Sequence, residues 1–216
     1  MFIVIDGIDG CGKSTQVKLL AELHAKRGKP LVTSKWKDSE YVEKLFIGDL
    51  LRRFQDGTVK IPPEARTFLL AADLSNRLEG AIKPAIKQGL TVMGDRYIYK
   101  IVAQGVARGL SRAWLDNVFA FAIEPDAKIF LDIDPGVAAE RIVAYREISF
   151  YEAGMDVLGG TDRKQNFIAF QAKVRENLLA IAREIDALVL DASTSPAIQH
   201  DQIVAYLDRL AGGLPK

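Results

Sequence analysis

The chain of 216 residues holds one cysteine, Cys11, and two histidines, His24 and His200. A single thiol excludes an internal disulfide, and two widely separated histidines exclude the Cys/His clusters that hold zinc or iron. Neither sign of charge is in excess: 29 Lys plus Arg face 28 Asp plus Glu, a net +1. No global field therefore draws nucleic acid or an anionic membrane, and an anionic ligand must be met by local groups. No apolar run approaches the ~18 residues that span a bilayer. Residues 1–10 lack the basic start of a signal peptide, and Asp6 interrupts them. The expectation is a cytoplasmic protein with no nucleic-acid or membrane partner. What is present, 49% hydrophobic and 26% charged residues, suits a folded domain with a sizeable core.

Residues 2–5 (FIVI) are a short β-branched run that breaks into a glycine-rich turn. Residues 13–27 follow with Val17, Leu20 and Ala21 at helical spacing, which predicts strand, loop, helix. His24, seven residues after Val17 on the apolar face, reads as a core or boundary histidine. Gly28 and Pro30 stop that helix; residues 30–34 predict a second strand and 41–54 a second helix. Pro62 and Pro63 open a long helical pattern carried by Phe68, Leu69, Ala72 and Leu78, closed by Gly89, with Pro84 as a bend or break. Residues 90–93, 128–133 (KIFLDI) and 187–190 (ALVL) predict further strands, and Asp134 with Pro135 caps the helix after the second of these. Alternating strands and helices predict an α/β fold with a parallel sheet covered on both faces. Between 146 and 163 the pattern fails: Gly154, Gly159 and Gly160 fall among Glu152, Asp156 and Asp162, as in a lid or other functional loop, or a disordered one. Residues 211–216 read as a frayed tail. With no repeat and no linker, residues 1–216 read as one domain with a lid at about 146–163.

Gly7, Gly12, Lys13 and Ser14 satisfy G-x-x-x-x-G-K-[ST] between a predicted strand and a predicted helix, the context this phosphate-binding loop requires. The glycines let backbone N–H groups turn inward around phosphate oxygens, Lys13 brings a charge to the β- and γ-phosphates, and the Ser14 hydroxyl is a Mg²⁺ ligand. Gly7, Ile8, Asp9, Gly10, Cys11, Gly12, Lys13, Ser14 and Thr15 are thus the expected ATP-binding residues. Cys11 within the loop is either a small residue that fits or a thiol activated by the helix N-terminus.

The loop, read from Phe2 through Asp6-Gly7-Ile8-Asp9-Gly10-Cys11-Gly12-Lys13-Ser14-Thr15, resembles that of the thymidylate kinase family, F-E-G-x-D-G-x-G-K-[ST]-T. Asp95-Arg96-Tyr97 stands where that family carries D-R-[YFH], and 130–135 followed by Glu140-Arg141 match its strand and helix before the lid. The resemblance covers nearly the whole chain. It implies a P-loop NTPase fold with five parallel strands and a lid, Mg²⁺ with ATP as phosphoryl donor, a nucleoside monophosphate as acceptor, and a homodimer. It implies that Asp9 holds the acceptor's sugar hydroxyl, that Arg96 contacts the acceptor's phosphate, and that Asp95 helps organise Mg²⁺ and the transferring group. In the family an arginine comes either from the P-loop or from the lid. The loop here has none, so Arg141, Arg146 and Arg163 are the candidates, with Arg141 and Arg146 preferred. In-line phosphoryl transfer needs such charge where it develops.

Three departures fall at the acceptor end. R-E-P is replaced by Ser34-Lys35-Trp36, the arginine of A-A-D-R is Leu74, and the serine and A-Y-Q after DRY read Lys100 and Ala103-Gln104. Arg77, one helical turn beyond Leu74, is a substitute, and Phe68 or Phe54 a ring to stack on a base, unless these are core aromatics. The expected activity is transfer of the γ-phosphoryl group of Mg·ATP to a deoxynucleoside monophosphate, dTMP foremost. The alternatives are a kinase of the same build for another nucleotide or a nucleoside, and a GTPase-like switch. The switch is disfavoured because no [NT]-K-x-D guanine-reading motif occurs.

Overall fold

A computed structural model describes residues 1–35, 47–95 and 97–213. The expected helix start at 41–46, Trp36, Arg96 and the last three residues of the expected tail lie outside them. Five strands, β1 (Phe2–Gly7), β2 (Leu31–Lys35), β3 (Thr91–Asp95), β4 (Ala127–Asp132) and β5 (Leu188–Asp191), form one sheet in the order β2-β3-β1-β4-β5. Every pairing is parallel, with Ile5 opposite Asp95 and Gly7 opposite Leu131. The strands predicted from 90–93, 128–133 and 187–190 are all present, shifted by a residue or two, as local pattern fixes an element better than its ends.

β1 is the middle strand and is buried on both faces, which is why it reads as a continuous apolar run. The helices α1 (Lys13–Lys26), α2 (Ile47–Gln55), α3 (Pro63–Arg77), α4 (Lys83–Lys87), α5 (Ile98–Ala107), α6 (Arg112–Val118), α7 (Pro135–Val143), α8 (Met155–Leu158), α9 (Arg163–Glu184) and α10 (Pro196–Gly213) are packed around the sheet. α9 buries Phe167, Phe170, Val174, Leu178 and Ile181, a stripe at three- and four-residue spacing laid against α5 and α7. The predicted tail is helical through residue 213, the end of α10.

The long helical pattern opened by Pro62 and Pro63 runs on to Lys87, but Pro84 neither breaks it nor leaves it regular. The turn before it, Leu78–Ile82, is a π-helix joining α3 to α4. Proline lacks an N–H and its ring presses on the preceding turn; widening that turn lets the helix pass. One glycine at 146–163 is structural as well. Gly154 has φ +64°, and a Cβ there would stand 2.4 Å from the Phe170 ring, so the chain enters α8 only with glycine at this position.

Strand order reverses at β1, between β3 and β4, and in such sheets the crevice beyond the carboxyl ends of the strands takes the ligand. The turn after β1 opens there.

Candidate active site

Three glycines shape the loop after β1. Gly7 (φ +145°) and Gly10 (φ +82°) pass so close to neighbouring backbone that a Cβ would lie 2.5 Å from the Leu131 carbonyl and 2.7 Å from that of Ala138. Gly12, at φ +100°, caps α1. The result is a tight turn of backbone delivered to a helix N-terminus, where N–H groups and the helix dipole favour an anion. Lys13 is only 5% exposed; its ammonium donates to the carbonyls of Gly7 (2.9 Å) and Ile8 (2.7 Å) and stands 3.4 Å from Cys11 Sγ. Cys11 is fully buried, so the reading as a small residue that fits is the one the fold supports.

A cleft of about 590 Å³ lies along this loop, lined by residues 9–16, by Arg141, Tyr145 and Arg146, and by Thr194, Pro196 and Gln199 from the turn and helix after β5. Arg141, from α7, donates to the Ala192 carbonyl at 3.0 Å. Arg146 makes a two-bonded ion pair with Glu152 at 2.8 and 3.0 Å, and these bonds push its guanidinium above its ordinary value. Of the three arginines expected from the lid region, Arg141 and Arg146 reach this cleft. Arg163 does not line it; its guanidinium lies against the Ile148 carbonyl at 3.4 Å.

A narrower second cleft joins the first at Asp9, which lines both. Its wall from α3 carries Arg66, Leu70 and Arg77, one stripe along the helix. Arg77 is buried, donates to Asp73 at 2.8 Å and reaches Ser34 Oγ at 3.3 Å, while Leu74 is turned into the core. The guanidinium of Arg66 stacks over the Tyr151 ring at 4.1 Å, and Arg108 covers the same ring at 3.5 Å. Arg108 also bonds twice to Asp156 and once to the Tyr151 carbonyl, fastening segment 146–163 to the end of α5. From α5 come Lys100 and Gln104, and Lys100 Nζ lies 2.6 Å from Asp9 Oδ1. Asp6, at the end of β1, is fully buried. Burial pushes its carboxyl above the ordinary value of 3.8, against the pull of Lys13, of Lys100 and of the Gly7 and Lys100 N–H groups it accepts from.

The fold therefore brings Asp9, Lys13, Arg77, Arg141 and Arg146 together around two joined clefts. Ser14, exposed at the second residue of α1, opens onto the first. Asp95, described through its backbone, ends β3 beside this crevice, and Arg96 lies outside the described residues. Phe68 is not with them. It is 56% exposed and packs edge-on against Trp114 of α6, so the apolar contact in the cleft from this helix is Leu70, two residues away on the inward stripe. Sequence reasoning missed Arg66 and the turn after β5, and it named Lys100 at the acceptor end and Glu152 in the lid segment without giving either a role. Arg66 and Arg77, three helical turns apart, were the one pair legible from spacing.

A sequence model of the thymidylate kinase family matches residues 5–203. The chain is 34% identical to a probable thymidylate kinase of Thermococcus kodakarensis, over 98% of this chain and 99% of that one. It is 35% identical to one of Thermococcus onnurineus (96% and 97%) and to a thymidylate kinase of Jannaschia sp. (98% of each). A phosphate loop alone is shared by many unrelated proteins, whereas this likeness runs from β1 into α10 and takes in both clefts, and on that ground the chain belongs to the thymidylate kinase family.

Proposed function

We propose that this chain transfers the γ-phosphoryl group of ATP to a deoxynucleoside monophosphate, dTMP foremost, giving ADP and dTDP, and that it does so with Mg²⁺. The observation that carries the reading is the junction at Asp9. A cleft built for a triphosphate meets a cleft lined by guanidiniums and an ammonium, the arrangement two phosphates need to be brought end to end. Relatives named for thymidylate supply the choice of acceptor.

Catalysis is then positioning and charge neutralisation, since an acceptor phosphate oxygen needs little activation as a nucleophile. Lys13 balances charge on the donor's β- and γ-phosphates. Arg141 and Arg146, on the donor cleft, offset the charge spread over the transferred group, and Arg77, pinned by Asp73 and Ser34, holds the acceptor. Segment 146–163 is the lid; its Arg146 reaches the first cleft and its Tyr151 the second, and its closure excludes water that would otherwise hydrolyse ATP.

The residues present fit Mg²⁺. Among the described residues no group of three or more His, Cys, Asp or Glu could hold a metal by itself. The exposed Ser14 hydroxyl at the mouth of the loop suits a cation that takes most of its oxygen ligands from phosphates and water. Ser14 and Asp95 would hold it, and when bound it supplies charge neutralisation between the β- and γ-phosphates.

No helix among the described residues is long and apolar enough to cross a membrane. We place the protein in the cytoplasm as a homodimer, as the family resemblance implies. Light scattering tests the second point, with a monomer at micromolar concentration as the contrary result. The reading as a whole is tested by following ADP formation from Mg·ATP with and without dTMP. Turnover that needs dTMP supports it, and ATP or GTP hydrolysis indifferent to any nucleotide acceptor would overturn it.

A further inference from the structure

Lys100 is the third residue of α5, and its side chain is 5% exposed. A lysine ammonium is seldom kept from water unless an anion meets it. The anion here is Asp9, 2.6 Å away and itself buried. The backbone under the ammonium is fixed as well, because the Lys100 N–H donates to Asp6 Oδ2 at 3.1 Å, and Asp6 also accepts the Gly7 N–H at 2.9 Å. The base of the lysine is thus tied to the strand end from which the phosphate loop departs. Binding a triphosphate does not require this pair. Its place explains it: Asp9 lines both clefts and Lys100 the second, so the ammonium stands at their junction. An acceptor phosphate must come to that junction, within ~3.5 Å of the donor's terminal phosphorus, to react in line. It would meet the Asp9 carboxylate there, and only a cation at the same point makes the approach favourable.

We propose that Lys100 is a catalytic residue of this chain, its ammonium contacting the acceptor's phosphate while Asp9 serves as the counter-ion that holds it at the junction. This rests on the monophosphate kinase reading and deepens it. An oxygen of the acceptor phosphate forms a bond to the γ-phosphorus as the bond from that phosphorus to the bridging oxygen breaks, the electron pair leaving with ADP. Lys100 keeps the two anions together and gives up no proton. A lysine that merely orients Asp9 would act on the sugar end instead.

The two roles separate by ligand. Dissociation constants for dTMP, and for thymidine as a competitor, are measured for the wild-type chain and for Lys100→Met, alongside kcat and KM. The expected result is dTMP binding weakened about tenfold or more, the scale of one lost hydrogen bond to a charged group, with thymidine binding changed less than about twofold. Equal loss for both ligands, or no loss for dTMP, would overturn the proposal. Removing Lys100 leaves Asp9 buried without its partner, so the same comparison is made with Asp9→Asn/Lys100→Met, its fold checked by circular dichroism. The expected result is again a loss larger for dTMP than for thymidine, and a loss without that preference counts against the proposal. A wild-type chain that phosphorylates no monophosphate refutes the kinase reading. A wild-type chain that phosphorylates dTMP, with variants that bind it unchanged, refutes the role of Lys100 alone.

Discussion

Lys13 is gripped by two carbonyls of the loop it serves, so its ammonium stands at the cradle without depending on a distant segment. Lys13→Ala should therefore leave the fold intact, by circular dichroism, and lower phosphoryl transfer by about 10² or more, the cost of one preorganised charge at a developing anion. Near-normal turnover by the folded variant would remove the loop from the mechanism. Arg146 differs because Glu152 holds it. A contact made chiefly in the transition state predicts that Arg146→Ala lowers kcat by about 10² with a smaller effect on acceptor KM, and a change in KM alone would make it a binding residue. Asp6 gives a pH signature. Burial raises its folded pKa above 3.8, so the folded chain takes up this proton before the unfolded one does. Its contribution is most favourable below pH 3.8 and is lost as pH rises from there through the folded value. Asp6→Asn should flatten that part of the plot of denaturation midpoint against pH, and an unchanged slope would contradict the assignment.

Among the elements, segment 146–163 is the one whose sequence pattern was uninformative, and the structure shows why: its order comes from other parts of the chain. Tyr151 is stacked between Arg66 of α3 and Arg108 at the end of α5, and Arg108 is bonded to Asp156 while its side chain is 2% exposed. Arg108→Ala removes the ion pair and the bond to the Tyr151 carbonyl, and uncovers the ring. It should cost about 3 kcal/mol, the low end for breaking a buried pair, since Asp156 keeps some solvent. Urea denaturation measures this, and limited proteolysis should cut within 146–163 faster than in wild type. A loss under 1 kcal/mol with no new cutting would show that the stack does not hold the segment. α3 teaches the opposite lesson. Its existence was plain from periodicity, yet which face would carry the site was not: Phe68 is outside, Leu74 is in the core, and the cleft takes Leu70 and the two arginines.

For the whole molecule, the proposed specificity rests on the two clefts. The second is lined by Arg66, Arg77 and Lys100, and the position of the usual arginine is an apolar core residue, Leu74. Recognition of a monophosphate should accordingly be stronger than recognition of the base. Steady-state comparison of dTMP, dUMP, dCMP, dGMP and thymidine with Mg·ATP should give the highest kcat/KM for dTMP. Thymidine should be far poorer, and the preference over dUMP should stay within the roughly 10- to 200-fold that one methyl group provides. Strong activity on another monophosphate with none on dTMP would change the acceptor and leave the kinase standing. The amino-acid order by itself determined the phosphate loop, the alternation of strands and helices and the family, because each is written in residues a few positions apart through backbone freedom, capping and periodicity. Tertiary structure alone decided where Arg141 and Arg146, already preferred to Arg163, stand along the phosphate loop, that Lys100 meets Asp9, and that the turn after β5 lines the same cleft. These depend on contacts such as that of Gln16 with the Pro196 carbonyl, 180 residues apart. Distances of that kind are set by the order of strands in the sheet, which no local pattern of side chains encodes.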